Sequence, residues 1–364
     1  MDQRPVPLPA ALLKDVSRSF YLTLRILPGS IRGQLGLAYL LARTTDTIAD
    51  TQLISIEQRL DALQKLRQRI FGLDATSLQF GQLAFQQSSP AERILLERCE
   101  STIALLQNLS PADLKMVRTV LETITSGQEL DLRRFARASA TSIVALRTAA
   151  ELDDYTYRVA GCVGEFWTRM CRSHVFPRAT LDDSLLLTNS VRFGKGLQMV
   201  NILRDLASDL RLGRCYLPEE KLSPLGLVAS DLLLISNEPR LRPLFNAYIC
   251  QAEENLRAGW GYTNALPWTS LRVRLACAWP ILIGLRTLEL LRTGSVLDPG
   301  RRIKITRSEI KGCIWRSVLY YPWPAAWKRL VEKNRSGLSA LEPNSAQNAP
   351  RSSLMLQNRT SQPK

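Results

Sequence analysis

The stretch GLAYLLARTTDTIADT, residues 36–51, carries two carboxylates four positions apart among apolar residues. On a helix at about 100° per residue, Asp50 lies about 40° from Asp46, with Tyr39 at about 20° and Arg43 at about 60°. These polar groups therefore share one narrow face, and leucine, alanine and isoleucine cover the others. Like charges at this spacing repel, and burial strengthens the repulsion. The pattern predicts a helix whose polar stripe faces a lined cavity, where a divalent cation removes the repulsion.

A second stretch, GKGLQMVNILRDLASDLRLGRCYLP at residues 194–218, repeats this design. Four polar residues fall within about 80° of one another on a helix: Gln198, Asn201, Asp205 and Asp209. Arg204 lies at the edge of the stripe, and apolar residues cover the rest. A solvated helix face is the alternative for either stripe alone, but two stripes of one design favour a shared cavity. Magnesium fits such a cavity, because it is often held by one or two carboxylates together with substrate phosphates.

Basic residues follow the second stripe, at Arg211 and Arg214. Arginine binds phosphate oxygens in a bidentate manner, so these side chains predict a phosphate clamp beside the carboxylates. The alternative is a basic helix C-terminus that complements the helix dipole.

Composition narrows the functional classes. The chain has 364 residues and a formal net charge of +15, which favours an anionic partner, although a solvated basic surface is the alternative. Seven cysteines without a CxxC pair indicate reduced thiols in a cytoplasmic protein, and not a disulfide framework or a zinc site. His174 is the only histidine, which excludes a histidine dyad or a multi-histidine metal site. Basic residues are not interleaved with aromatic ones, so we expect no nucleic-acid partner.

Apolar residues recur at helical spacing along most of the chain, for example at positions 60–70 and 94–106, and alternating strand patterns are missing. The sequence therefore predicts an all-α fold in one domain. We expect helix starts at Ser89 and Ser110, each followed by proline, and a loop with a DPG turn over residues 292–304. The N-terminus has no signal-peptide pattern, and no apolar run is long enough to span a bilayer. We assign residues 1–14 to an arm, 15–332 to the domain and 333–364 to a flexible polar tail.

Five motifs, taken together and in order, resemble the squalene/phytoene synthase family, a head-to-head branch of the trans-isoprenyl diphosphate synthases. They are VSRSF (16–20), YLLARTTDTIAD (39–50), YTYRVAGCVGE (155–165), LQMVNILRDLASD (197–209) and GRCYLP (213–218). The resemblance covers roughly residues 15–330 and implies a single-domain isoprenoid synthase bundle with a central apolar cavity. Two departures stand in the third motif, where Thr156 replaces cysteine and Arg158 replaces a neutral residue.

The resemblance implies roles for individual residues. Mg²⁺ would be held by Asp46, Asp50, Asp205 and Asp209, which are also the expected catalytic carboxylates. Substrate diphosphates would contact Ser17, Arg18, Tyr39, Arg43, Gln198, Asn201, Arg204 and Arg214. Tyr155 would assist proton removal or steer the carbocation, although a core tyrosine is the alternative. Gly161 and Gly164 would permit close helix packing or leave room for a prenyl chain.

Several features lean toward the squalene type, which joins two farnesyl diphosphates and reduces the rearranged cation with NADPH. LQMVNILRD is similar to LQKTNIIRD, and CAWPILIGLRTL (277–288) is similar to CAIPQVMAIATL of squalene synthases. IKITR (303–307) is similar to their basic KIRK segment, which points to Lys304, with Asn201 and Arg204, for the nicotinamide cofactor. A solvated basic loop is the alternative for Lys304. Phytoene synthesis from geranylgeranyl diphosphate, and enzymes that end at presqualene diphosphate or hydroxysqualene, remain open.

The expected partners follow from this interpretation: farnesyl diphosphate as substrate, a monomeric state and peripheral contact with a membrane. The aromatic segment WRSVLYYPWPAAW, residues 315–327, could provide that contact, and core packing is its alternative. A basic helical module that binds anionic membranes without catalysis is the non-enzymatic alternative. Four aspartates on apolar helices would serve no purpose in such a module.

Overall fold

The computed structural model describes residues 10–17, 20–301 and 303–332, and for Ala10, Ala11, Ser17 and Phe20 it describes the backbone alone. The N-terminal helices are α1 Ala10–Ser17, α2 Phe20–Ile26, α3 Gly29–Asp50, α4 Ile56–Phe71, α5 Gly81–Gln86, α6 Pro90–Glu97, α7 Cys99–Ala104 and α8 Pro111–Arg134. The later helices are α9 Ala149–Thr156, α10 Cys162–His174, α11 Asp183–Arg211, α12 Glu219–Leu222, α13 Glu238–Ala265, α14 Leu271–Thr293, α15 Arg307–Tyr320 and α16 Pro324–Glu332. Short 3₁₀ turns cover Leu105–Asn108, Ser223–Leu225, Ala229–Leu233 and Ile235–Asn237. The predicted all-α fold is confirmed.

The predicted helix starts are also confirmed. The Ser110 side chain accepts a hydrogen bond from the Asp113 backbone N–H, and the Ser89 side chain accepts one from the Glu92 N–H. In each case a proline fills the first helical position, where no N–H donor is needed. The apolar run at 94–106 is not one helix, because Arg98 leaves helical geometry between α6 and α7. The polar tail and most of the N-terminal arm lie outside the described residues.

One pair of two-residue strands interrupts the helical pattern. Strand β1, Val144–Ala145, pairs in parallel with β2, Arg214–Cys215. Gly213, immediately before β2, has φ 83°, and a Cβ there would stand 2.4 Å from the Ser139 backbone nitrogen. Glycine is required for both reasons. Because side chains alternate along a strand, Arg214 and Tyr216 point to one side while Cys215 points into the core.

A π-helical turn, Tyr157–Gly161, joins α9 to α10 into one continuous rod. This rod packs directly on α11. A Cβ on Gly164 would stand 2.0 Å from the Ser190 carbonyl oxygen, and one on Gly194 would stand 2.2 Å from the Ala160 carbonyl oxygen. The two backbones therefore touch at glycines, as expected for Gly164. Extra π-turn residues often occur beside functional sites, and here they lie on the cavity wall.

The buried residues form two clusters with a cavity between them. One cluster centres on α3, α4, α8 and α10, and the other on α11, α13 and α14 with the C-terminal helices. Among the described residues, all seven cysteines are unpaired, as the sequence predicts, and Cys250 alone is exposed. Within the described ranges, we find no helix with the length and apolar content that crossing a membrane requires.

Candidate active site

The cavity has a volume of about 840 Å³, within the size range of small-molecule sites. One part of its wall is apolar and aromatic, with Phe166, Trp167, Phe193 and Tyr262 among its residues. The acidic and basic residues of the wall are Arg43, Asp46, Asp50, Asp131, Asp205, Asp209 and Arg214. A ligand with an anionic head and an apolar tail matches this division.

The first acidic stripe faces the cavity as predicted. Tyr39, Arg43, Asp46 and Asp50 all line it. Arg43 is ion-paired with Asp46 and, at 2.8 Å, with Glu92 at the start of α6. Burial, with repulsion from Asp50, raises the pKa of Asp46 to about 6. Burial also raises the pKa of Asp50, although Arg214 and Arg43 oppose this shift. The nearby arginines thus offset only part of the cost of burying these two carboxylates.

The second stripe reaches the same cavity from α11. Gln198, Asn201, Asp205 and Asp209 line it, and the Asn201 amide lies 3.4 Å from the Gln198 carbonyl oxygen. Burial, with repulsion from Asp205, raises the pKa of Asp209 to about 7. The field of Asp50 adds to this rise, so charges on α3 and α11 act on each other across the cavity. Both predicted stripes therefore belong to one site.

The arginines take different positions around this site. Arg214 lines the cavity, and its guanidinium is hydrogen-bonded to the Tyr216 hydroxyl. Arg204 does not line the cavity; its Nε donates to Asp205 Oδ1 at 3.0 Å and holds that carboxylate from the side. Arg59, which the sequence did not indicate as a site residue, donates to the Ala49 carbonyl oxygen at 3.0 Å and contributes positive charge beside Asp50. The sequence of α4 has the pattern of an ordinary amphipathic helix, and this pattern does not mark Arg59 as part of a site.

The cavity wall also contains Asp131 on α8, which was not among the site residues predicted from the sequence. The Tyr216 hydroxyl donates to Asp131 Oδ2 at 2.9 Å. Tyr216 is in turn hydrogen-bonded to Tyr155, and the two rings are stacked with their centroids 4.7 Å apart. Burial raises the pKa of Asp131 to about 6, and Asp131 Oδ1 has no hydrogen-bond partner in the part of the chain that the structure describes. These residues form a hydrogen-bonded chain that ends at a carboxylate.

A sequence signal for Asp131 did exist. On a helix, Asp131 continues the stripe of Val117, Val120 and Ile124, all of which line the buried side of α8 or the cavity. A carboxylate on an apolar stripe is costly unless it is used. Tyr155, predicted from the third motif, lies on the cavity wall, and burial raises its pKa above the usual tyrosine range.

Other predicted residues stand apart. Lys304 is exposed in the loop 294–306 and is not part of the cavity wall, so the structure does not bring it to the site. Arg18 and the Ser17 side chain lie outside the described residues.

The two departures in the third motif have local roles. Arg158 bridges Asp154 and Ser126. Thr156 is buried and donates to the Asp153 carbonyl oxygen. His174 binds Asp113 at 2.7 Å, away from the cavity wall.

We tested whether this wall suits Mg²⁺. The donors are carboxylate oxygens, which the ion prefers, and burial together with repulsion from a neighbouring carboxylate raises the pKa values of Asp46 and Asp209. Among the described residues, no group of three or more acidic, cysteine or histidine side chains converges on one point. An ion would therefore use one or two carboxylates and take its other ligands from diphosphate and water, and the residues fit this mode.

Comparisons with known proteins agree with the geometry. A family model for squalene/phytoene synthase matches residues 13–309. A presqualene diphosphate synthase of Zymomonas mobilis is 31% identical over 66% of this chain and 70% of its own length. A bifunctional lycopene cyclase/phytoene synthase of Gibberella fujikuroi is 28% identical over 71% of this chain, which spans only 43% of that protein. A squalene synthase of Bos taurus is 28% identical over 57% of this chain and 45% of its own length.

Solved structures support the fold. The complex of TcSQS with the ligand E5700 superposes with a TM-score of 0.74 at 22% identity, covering 95% of this chain and 94% of that one. A dehydrosqualene synthase superposes with a TM-score of 0.59 at 19% identity, covering 91% of this chain and 95% of that one. With a family model that matches most of its length and a cavity that unites both acidic motifs, the chain belongs to the squalene/phytoene synthase family.

Proposed function

We propose that this chain is a magnesium-dependent prenyltransferase that joins two farnesyl diphosphates head to head. The first step gives presqualene diphosphate, inorganic diphosphate and a proton. In the second step, a bound NADPH would be the hydride source that converts presqualene diphosphate into squalene, with release of a second diphosphate and NADP⁺. The observation that supports this proposal is the convergence of two acidic stripes, from α3 and α11, on one cavity with an apolar wall.

The residues of the wall have separate tasks in the first step. Bound magnesium would neutralise the diphosphate and so assist its departure as a leaving group. Arg43 and Arg214 lie beside the acidic stripes and stabilise the negative charge that develops on the departing diphosphate. The aromatic wall keeps water from the allylic cation, and its ring faces stabilise the positive charge.

The hydrogen-bonded chain behind this wall accounts for the proton. Burial keeps Tyr155 neutral, so its anion is not available as a base. As Tyr155 takes the proton at its hydroxyl oxygen, it can pass its own proton to Tyr216, which donates to Asp131. Asp131 is ionised near neutral pH and accepts the proton at the end of the chain. This route leaves both tyrosines neutral.

A second candidate is an enzyme that ends at presqualene diphosphate. Lys304 was the residue expected at the nicotinamide phosphate, and its exposed loop is not part of the cavity wall. The reductive step thus rests on the resemblance of motifs to squalene synthases, whereas the condensation is also supported by the geometry of the cavity. The presqualene diphosphate synthase among the relatives is consistent with this candidate.

Product analysis separates the candidates. Purified protein is incubated with magnesium and farnesyl diphosphate, with and without NADPH, and the lipids are identified by mass spectrometry. We expect presqualene diphosphate without NADPH and squalene with it. Presqualene diphosphate or hydroxysqualene in both reactions would instead support the second candidate. Phytoene from geranylgeranyl diphosphate, without product from the farnesyl substrate, would contradict both.

A further inference from the structure

An apolar face on the outside of α15 has no protein partner among the described residues. Trp315, Val318 and Leu319 lie within about 100° of arc on this helix, and their exposed fractions are 70%, 44% and 50%. Trp323, in the turn between α15 and α16, is 58% exposed. We name these four residues the α15 face. Contiguous exposure of large apolar side chains usually marks an interaction site.

The opposite side of the same helices is firmly packed. Ser317 is fully buried and accepts a hydrogen bond from the Trp279 indole at 3.0 Å. Trp327 on α16 is buried, stacks on Trp260 and lies beside the buried guanidinium of Arg274. Arg274 in turn donates to the Leu266 carbonyl oxygen at 2.8 Å. The α15 face is therefore held rigidly outward by a packed core, and its exposure is not a consequence of loose attachment.

Exposed basic side chains lie on the two helices that flank Trp323. Lys311 lies about 40° from Trp315 on the helix and is exposed, and Lys328 and Arg329 are exposed on α16. The segment 307–332 contains five lysines and arginines but only two acidic residues, Glu309 and Glu332. Glu309 is occupied by an ion pair with Arg286 at 2.8 Å. The segment that carries the apolar face therefore has a net positive charge.

These features favour an anionic bilayer over a protein partner. Tryptophan residues with aliphatic neighbours enter the boundary between headgroups and acyl chains, and lysine and arginine at the rim bind lipid phosphates. Each basic residue near such a surface strengthens the attraction to anionic lipid. We propose that the α15 face docks on the surface of an anionic lipid bilayer, with Trp315, Leu319 and Trp323 inserted and Lys311 and Lys328 at the phosphates.

This proposal is independent of the catalytic one, since it depends only on the outer surface of α15 and α16. A bilayer would nevertheless be a suitable place to release a hydrocarbon product. Failure of one proposal would leave the other intact, because binding to vesicles needs no substrate.

The test is flotation of the full chain with vesicles of phosphatidylcholine alone or with about one third phosphatidylglycerol. We expect binding to the anionic vesicles, weakened by high salt, and little binding to the neutral ones. The variant Trp315→Ser, Leu319→Ser, Trp323→Ser should bind at least about tenfold more weakly. The matched control Leu234→Ser, Ile235→Ser changes equally exposed residues elsewhere and should bind like the wild type.

Circular dichroism and melting temperature establish that each variant is folded. If the triple variant fails to fold, the charge variant Lys311→Glu, Lys328→Glu takes its place with the same expectation. Wild-type protein that does not float with anionic vesicles would overturn the proposal, and so would a folded variant that floats equally well. A wild-type dimer that the triple variant converts to monomer, without vesicle binding, would assign the α15 face to a second copy of the chain.

Discussion

Helical spacing places Asp131 on an apolar stripe of α8, but it does not identify the hydrogen-bond partner of the carboxylate. Its carboxylate accepts from Tyr216, which lies 85 positions away along the chain. That contact depends on the packing of α8 against the residues after α11, and helical periodicity cannot supply it. By contrast, the angles of Asp46 and Asp50 on α3 follow from their spacing alone, and both residues line the cavity as predicted.

The substitution Asp131→Asn tests the proton route. Asparagine keeps an acceptor for Tyr216 but cannot take the proton, so we expect kcat to fall by about 10- to 100-fold with little change in KM. The melting temperature should not fall, because a buried carboxylate with an unpaired oxygen is removed. Steady-state kinetics and thermal denaturation measure both effects.

Tyr216→Phe is the companion variant, since it breaks the chain at its centre while the ring stacking remains. Its kcat should fall by a similar factor. In the variant that combines Asp131→Asn with Tyr216→Phe, kcat should fall little further than in either single variant. Full activity in Asp131→Asn, or a loss seen only in KM, would mean that Asp131 has a structural role.

At the scale of elements, the cavity depends on how closely the π-helical rod approaches α11. The motif glycines indicated close packing, and the structure places backbone against backbone there. The π turn itself was not predicted. Its extra residue rotates the positions that follow, but VAGCVG is apolar at every position, so the sequence does not show this rotation. The β1–β2 pair was also unforeseen, since two residues are too few for an alternating pattern.

The substitution Gly194→Ala should force these elements apart. Its new Cβ would stand 2.2 Å from the Ala160 carbonyl oxygen, so a backbone must shift. We expect a loss of about 2 kcal/mol or more in the free energy of unfolding, together with a loss of activity. Denaturant unfolding and turnover with farnesyl diphosphate measure these quantities.

Gly312→Ala on α15 is the matched control. Nothing lies within 4 Å of its new Cβ, and alanine favours a helix over glycine by about 0.5–1 kcal/mol. It should therefore be neutral or slightly stabilising. Equal effects of the two substitutions would contradict the close contact between the rod and α11.

At the scale of the whole molecule, the fold and the site differ in how much the sequence predicts. Both acidic stripes and Tyr155 came from motifs that lie on single helices, and the all-α class came from apolar periodicity. Glu92 and Arg59 belong to the site through long-range contacts, which one sequence does not display. Asp131 lies on a recognisable apolar stripe, but its contact with Tyr216 is also long-range. Lys304 was expected at the site on a short basic match, and it is exposed and not among the residues that line the cavity.

The buried carboxylates of the cavity, Asp46 and Asp209, also affect the stability of the whole protein. Without divalent cations, Asp46 has a pKa of about 6 and Asp209 of about 7, and both values lie above those of an unfolded chain, at about 4. The native state therefore binds more protons between about pH 4 and 7, and its stability falls as pH rises through this window. We expect a higher melting temperature at pH 5 than at pH 7.5 in the presence of a chelator.

Magnesium should reduce this difference, because it binds the ionised carboxylates of the native state at the higher pH. The variant Asp209→Asn should flatten the pH dependence of the metal-free protein. A melting temperature that rises from pH 5 to pH 7.5 in chelator would contradict the raised pKa values of Asp46 and Asp209.

The central claim is that the stripes on α3 and α11 act together on a prenyl diphosphate, and magnesium-dependent release of inorganic diphosphate from farnesyl diphosphate measures this most directly. We expect rapid release by the wild type, and losses of at least about 10³-fold in Asp46→Asn and in Asp205→Asn with unchanged helicity. Asp61→Asn, a surface carboxylate paired with Lys65, should behave like the wild type. Release within about tenfold of wild type in either cavity variant would contradict the claim.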